Sequence, residues 1–192
     1  MDIFLDKEDR HFFLKRLREA LYPTESQVIK TMVPIAPIAP RENRRSQLPD
    51  GAFELLLYCL MPNHFHLVIQ QDSELTISAL MSKVCTSYSK YFNKKYDRVG
   101  SLYQDQFKAA LVSSNEQLLW LASYIHRNPF KAKLVNSLRD YPYSSHLDYI
   151  EARKGTLCKK ELILGQFKSI REYEHSIIDF DEGTIFDELK ID

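Results

Sequence analysis

Apolar positions recur along this chain at two different periods, and each change of period marks a change of element. From Lys7 to Leu21, Phe12, Phe13, Leu14, Leu17 and Leu21 fall at helical spacings, with Asp6 placed to cap the helix. Residues 22–51 break the pattern with "PIAPIAP" and "RENRRSQLPDG", which reads as a surface excursion or an insertion. "FELLLYCL", Phe53 to Leu60, is almost wholly apolar, as expected of a strand covered on both faces. A turn at Met61-Pro62-Asn63 leads into a strand beginning at His64, whose period of two sets His64, His66 and Val68 on one face and Phe65, Leu67 and Ile69 on the other. Ile77, Leu80, Met81, Val84, Tyr88, Tyr91 and Phe92 step by threes and fours, predicting a helix over Leu75 to Asn93. Leu102 to Val112 alternates well enough to predict a strand. Ser114 to Gln117 then has the form of a capping box, opening a helix that carries Leu118, Leu121, Ala122 and Ile125 and is bounded by Pro129. The order suits an α+β fold, an antiparallel sheet with helices on one face.

Composition narrows the class without naming a function. The 192 residues are 44% hydrophobic and 27% charged, ordinary for one globular domain with an appendage. No apolar run approaches the roughly 20 residues that span a bilayer, and "MDIFLDKEDR" is too charged for a secretory signal, so a cytoplasmic location without membrane contact is expected. Cys59, Cys85 and Cys158 form no C-x-x-C pair, which argues against a zinc knuckle or a disulfide framework. Basic and acidic residues balance at 26 each. Their distribution is uneven: Lys83, Lys90, Lys94, Lys95, Arg98 and Lys108 face only Asp97 and Asp105 between Ile77 and Val112, and the chain turns acidic from Glu172 onward. A locally basic stretch can grip phosphates or be a solvated helix face.

Candidate chemistry starts at His64 and His66. Imidazoles at i and i+2 of a strand project side by side and can share a divalent metal; the plainer reading is a polar pair on a half-exposed face. In "LASYIHRNP", Tyr124 and Asn128 lie four apart and so share a helix face, while His126 points elsewhere. A tyrosine hydroxyl with an ordinary pKa near 10 is a weak nucleophile at neutral pH unless the electrophile is polarised. A metal held by His64, His66 and the Asn128 amide oxygen can do that to a phosphodiester.

The blocks "YCLMPNHFHLVI", "GSLYQDQFKAALV", "YIHRNPFKAKLV" and "YPYSSHLDY" closely resemble the single-tyrosine HUH transposases, in particular REP-associated tyrosine transposase-like proteins. The resemblance runs from about Ile3 to Ile150. It implies a ferredoxin-like domain at 1–150, with a loop insertion at 22–51 and a C-terminal extension at 151–192. It also implies binding of single-stranded DNA, commonly beside a hairpin, and Mg²⁺ or Mn²⁺ held by the residues matching His64, His66 and Asn128. The residue matching Tyr124 attacks the scissile phosphate to give a 5′-phosphotyrosine and a free 3′-OH. Lys90, Lys94, Lys95, Arg98 and Lys108 become candidate DNA-backbone contacts, and Gln104 and Gln106 candidate contacts to bases or packing residues. A homodimer is compatible with all of this.

The chain departs from the family pattern at four places. Family members usually carry a strand ahead of "IFLDKEDR", lying centrally beside the histidine strand; without it, backbone groups there need other partners. The 22–51 connection is longer than usual, and relatives often have glycine at the position of Lys133 and arginine at that of Gln106. Besides an active transposase, these departures suggest a non-catalytic hairpin-DNA-binding remnant. A third reading, a metal-dependent phosphodiesterase unrelated to DNA, would work without Tyr124.

Overall fold

A computed structural model describes residues 1–23 and 48–180. Most of the predicted excursion at 22–51 therefore lies outside the described residues. The chain divides into two compact units: Met1–Leu5, Leu55–Ile69 and Asp105–Asp192 form the first, Asp6–Glu54 and Gln70–Gln104 the second.

Strands β1 (Phe53–Leu60) and β2 (Phe65–Gln71) make a two-stranded sheet among the described residues. A four-residue connection between them makes the pair antiparallel. β1 is buried along nearly its whole length, as its unbroken apolar run requires, whereas β2 is half-exposed on both faces apart from Val68. This is the α+β class, with a sheet narrower than the sequence pattern suggests.

The edge of β1 away from β2 has its own partners. Leu60 N–H donates to Tyr143 O at 2.9 Å, and Tyr58 O accepts from Ser145 N–H at 2.9 Å, so Cys59 and Ser144 form an antiparallel bridge. Ser145 Oγ accepts from Tyr58 N–H at 3.0 Å, Tyr141 Oη donates to Leu60 O at 2.6 Å, and Tyr149 Oη donates to Leu56 O at 2.8 Å. Two tyrosine hydroxyls and a serine from "YPYSSHLDY" thus satisfy backbone groups that a strand would otherwise pair. Arg153 braces this segment, donating to both Asp148 carboxylate oxygens at 2.6 and 2.8 Å and to Tyr58 Oη at 2.8 Å. Gly155 packs directly on that ion pair, where a Cβ would lie 2.2 Å from Asp148 Oδ1.

The other regular elements described in the first unit are helical: α3 (Asn115–Lys131), a 3₁₀ turn at Leu138–Asp140, α4 (His146–Tyr149), α5 (Glu161–Leu164) and α6 (Ile170–Ile178). The expected capping box is present at Ser114 and Gln117. The expected stop at Pro129 is not. Pro129 sits inside α3, one turn from its end, where its missing N–H costs a single bond and the chain closes two residues later. The closure is a Schellman motif: Leu134 N–H donates to Pro129 O and Lys133 N–H to Phe130 O, both at 2.9 Å, with Lys133 at φ +57°. That left-handed backbone is one that glycine adopts more readily than lysine.

In the second unit, α1 (Lys7–Leu21) and α2 (Ile77–Lys95) pack through aromatic rings. Phe12 stacks on Tyr91 at 3.8 Å and Phe13 meets Tyr88 edge-on at 5.4 Å. The predicted strand over Leu102 to Val112 is absent. Leu102 is buried, but residues 104–111 are exposed and pair with no strand, so their alternation has no sheet face to serve.

Candidate active site

The start of β2, with His64 just ahead of it, and helix α3 build the site, all within the first unit. The strand's pleat turns His64 and His66 to one side, and their Nε2 atoms lie 3.0 Å apart. His64 Nδ1 lies 2.8 Å from Asn63 Oδ1 and donates to it, fixing the ring from behind. His64 Nε2 then keeps its lone pair and accepts from His66 Nε2–H.

Tyr124 faces these rings from α3. Its ring meets that of His66 edge to face, with centroids 6.2 Å apart and planes at 81°. Trp120, one turn earlier, stacks almost parallel on Tyr124 at 5.0 Å and 9°, and Phe180 meets Trp120 edge-on at 5.8 Å. Lys131 Nζ lies over the Tyr124 ring, 5.5 Å from its centroid. Tyr124 is only 4% exposed, so its rotamer is set by these neighbours. The sequence reading passed over Trp120 and Lys131, although Trp120, Tyr124, Asn128 and Lys131 step by four, four and three along one helix face.

Asn128 follows Tyr124 by one turn and is 7% exposed, and its buried Nδ2 has no hydrogen-bond partner. An unsatisfied buried amide signals a ligand or an exchange of its oxygen and nitrogen positions. Among the described residues no three His, Cys, Asp or Glu side chains cluster as metal ligands. A metal here would therefore draw on an amide as well as the imidazoles. The histidine geometry fits such an ion: at metal–nitrogen distances of about 2.0–2.1 Å, nitrogens in adjacent coordination positions lie roughly 3 Å apart. Two imidazoles favour Mn²⁺ over the harder Mg²⁺.

Behind the site, α3 is tied down by groups that contact no candidate ligand. His126 is buried, its Nε2 2.8 Å from Ser145 Oγ and its Nδ1 2.7 Å from Tyr173 Oη. Burial holds this imidazole well below its ordinary titration range, with neighbouring His146 adding to the effect. Arg127 Nη1 donates to the carbonyl oxygens of Ile178 at 2.9 Å and Phe180 at 2.6 Å. Residues beyond 150 are thus part of the scaffold of α3.

The remaining predicted DNA contacts are dispersed. Lys108, exposed, belongs to the first unit; Lys90, Lys94, Lys95, Arg98 and Gln104 belong to the second. Lys90, Lys94 and Gln104 are exposed, and Arg98 covers the Phe92 ring at 5.7 Å. Lys95 is committed elsewhere. Its ammonium binds Asp6 at 2.6 Å, Asp9 at 2.9 Å and Glu8 at 3.3 Å, at the N-terminus of α1. Desolvation works against that ammonium, but its bonds to Asp6, Asp9, Tyr96 and Tyr91 outweigh it and raise its pKa.

Residues 41–128 match the family model described as "Transposase IS200 like". The match covers 88 of the 192 residues and supports that family for this chain. Over 105 residues it is 29% identical to a curated Haemophilus influenzae (strain ATCC 51907 / DSM 11121 / KW20 / Rd) protein named as a REP-associated tyrosine transposase. That alignment covers 48% of this chain and 58% of the relative, so the chain spans well under two thirds of the relative's length. No solved structure matches. The match to an IS200-like transposase ends at Asn128, so it takes in β1, β2 and the helix bearing Tyr124.

Proposed function

We propose that this chain is an IS200-like transposase that cleaves and rejoins single-stranded DNA beside a hairpin, with Tyr124 as nucleophile and a divalent metal held by His64, His66 and Asn128. The observation that carries the reading is the approach of the Tyr124 ring to a histidine pair whose Nε2 atoms converge. Bound there, Mn²⁺ or Mg²⁺ supplies Lewis-acid stabilisation of charge on the phosphate oxygens. The chain's own residues do the rest. Trp120 and His66 hold the phenol ring, Tyr124 Oη gives up its proton and bonds to phosphorus, and the P–O3′ bond breaks to release a 3′-OH. The product is a 5′-phosphotyrosine. It retains a phosphodiester, so a second 3′-OH can reverse the step without an external energy source.

The competing reading is a hairpin-DNA-binding remnant that does not cleave. The test is a denaturing gel of the protein incubated in Mn²⁺ with a pool of hairpin-flanked single-stranded oligonucleotides. A shifted covalent band, absent from Tyr124→Phe and His66→Ala, is expected. Salt-sensitive binding with no band at any flanking sequence would favour the remnant.

A further inference from the structure

We propose that Phe180 is a positioning residue for the nucleophile, acting on Tyr124 through Trp120. The inference rests on the transposase reading above. The Phe180 and Trp120 rings meet edge to face, with centroids 5.8 Å apart and planes at 70°, and Trp120 in turn stacks on Tyr124 at 5.0 Å and 9°. Phe180 is thus the far member of a row of three rings that ends on the nucleophile. Its place is fixed from α3 itself. Arg127 Nη1 donates to Ile177 O at 3.4 Å, Ile178 O at 2.9 Å and Phe180 O at 2.6 Å, and its guanidinium carbon lies 5.9 Å from the Phe180 ring centroid. Helix α6, which ends two residues before Phe180, is anchored by the fully buried Tyr173 and Ile177, with Tyr173 Oη 2.7 Å from His126 Nδ1. The match to the transposase family ends at Asn128, so Phe180 comes from chain outside it.

Reacting atoms displaced by about 1 Å can cost about 10²-fold in rate. An indole holds the phenol in line only where it is itself held, and an edge-to-face ring restrains it without any polar contact. The plainer role is burial alone, in which Phe180 covers apolar surface of α3 and has no bearing on Tyr124.

Trp120 is the chain's only tryptophan, so its fluorescence reads the contact directly, without DNA or metal. In the full chain, Phe180→Leu should raise acrylamide quenching of Trp120, and Phe180→Tyr, which keeps the ring, should hold the wild-type value. Arg127→Met leaves the ring but frees its backbone, and should raise quenching in the same direction. With a cleavable hairpin-flanked oligonucleotide in Mn²⁺, Phe180→Leu should slow single-turnover adduct formation at saturating DNA by about two- to tenfold. The half-saturating DNA concentration and the Mn²⁺ affinity should not change. In a Trp120→Leu background, Phe180→Leu should slow the reaction no further, because the route through the indole is already cut. Unchanged quenching in Phe180→Leu and Arg127→Met, or an undiminished rate effect in the Trp120→Leu background, overturns the proposal. A lower rate that Phe180→Tyr fails to restore, or that shows as weaker DNA or Mn²⁺ binding, overturns it as well, since both mark a general loss of structure. If no DNA yields an adduct with the intact protein, the transposase reading fails, and the proposal that rests on it fails with it. An adduct that Phe180→Leu forms at the wild-type rate leaves that reading standing and removes Phe180 alone.

Discussion

Tyr124 and His66 meet edge to face, their ring centroids 6.2 Å apart, with Trp120 stacked on Tyr124 from the preceding turn. A nucleophile depends on orientation as much as on reactivity, and here the indole limits where the phenol can point. Aromatic pairs contribute about 0.5–1.5 kcal/mol beyond their buried area. Trp120→Leu should therefore slow adduct formation by about tenfold while Trp120→Phe, which keeps a stacking ring, stays near the wild-type rate. Single-turnover kinetics check this. Mn²⁺ affinity should be the same in both variants, since Trp120 is not among the proposed ligands.

Convergence of His64 and His66 predicts metal binding without DNA. Calorimetric titration with Mn²⁺ should show one site that His64→Ala and His66→Ala each abolish and Tyr124→Phe leaves intact. Asn63 accepts the hydrogen bond from His64 Nδ1, so Asn63→Ala should weaken binding about 10–100-fold, the usual cost of losing such an orienting partner.

The outer edge of β1 makes a stability prediction independent of chemistry. Tyr149→Phe removes the donor to Leu56 O, and Tyr149 is fully buried. Leaving that carbonyl unpaired should cost about 1–3 kcal/mol. Ser145→Ala removes the acceptor for Tyr58 N–H and the partner of His126 Nε2 together, and should cost at least as much. Urea unfolding of both variants at neutral pH, beside the exposed control Ser113→Ala, measures the difference.

Two buried imidazoles set an acid limit. Burial lowers the His146 pKa to about 4 and holds His126 well below 6.5. The unfolded chain takes up protons below about 6.5 that the folded chain refuses, so their contribution to stability is whole above that pH and is lost as pH falls towards 4. The slope should approach about 1.4 kcal/mol per pH unit for each histidine. Asp6 acts lower on the scale: its hydrogen bond from Lys95 holds its pKa near about 2, so that contribution is present above about 4 and lost as pH falls through 2. Urea midpoints between pH 7 and 4 should fall for the wild type, and less steeply for a folded His146→Gln.

Elements whose signal is local were legible in the sequence. Both capping boxes, at Asp6 and Ser114, belong to this class, although only the second was read as a box. So do the apolar run of β1 and the periodicity of α2. What was not legible depends on a partner far along the chain. Nothing in "YPYSSHLDY" says that its hydroxyls would cap a strand edge more than 80 residues earlier, because hydroxyl-to-carbonyl bonds leave no period. Leu102 to Val112 failed for the opposite reason: alternation is necessary for a half-buried strand but does not supply its neighbour. Lys95 read as a free basic residue, whereas the carboxylates that hold it lie at the start of α1. The histidine pair and the Tyr124–Asn128 spacing were visible because the periods of strand and helix fix which side chains share a face. Trp120 and Lys131 were missed because stacking and cation placement tolerate many spacings.

The most direct test of the account is the position of the covalent bond. The protein is incubated in Mn²⁺ with the hairpin-flanked oligonucleotide pool, denatured, digested with nuclease and protease, and sequenced by tandem mass spectrometry. The account predicts a residual nucleotide attached through its 5′-phosphate to Tyr124 in the segment "LASYIHR". Attachment at any other residue, or an adduct that persists in Tyr124→Phe, would contradict it.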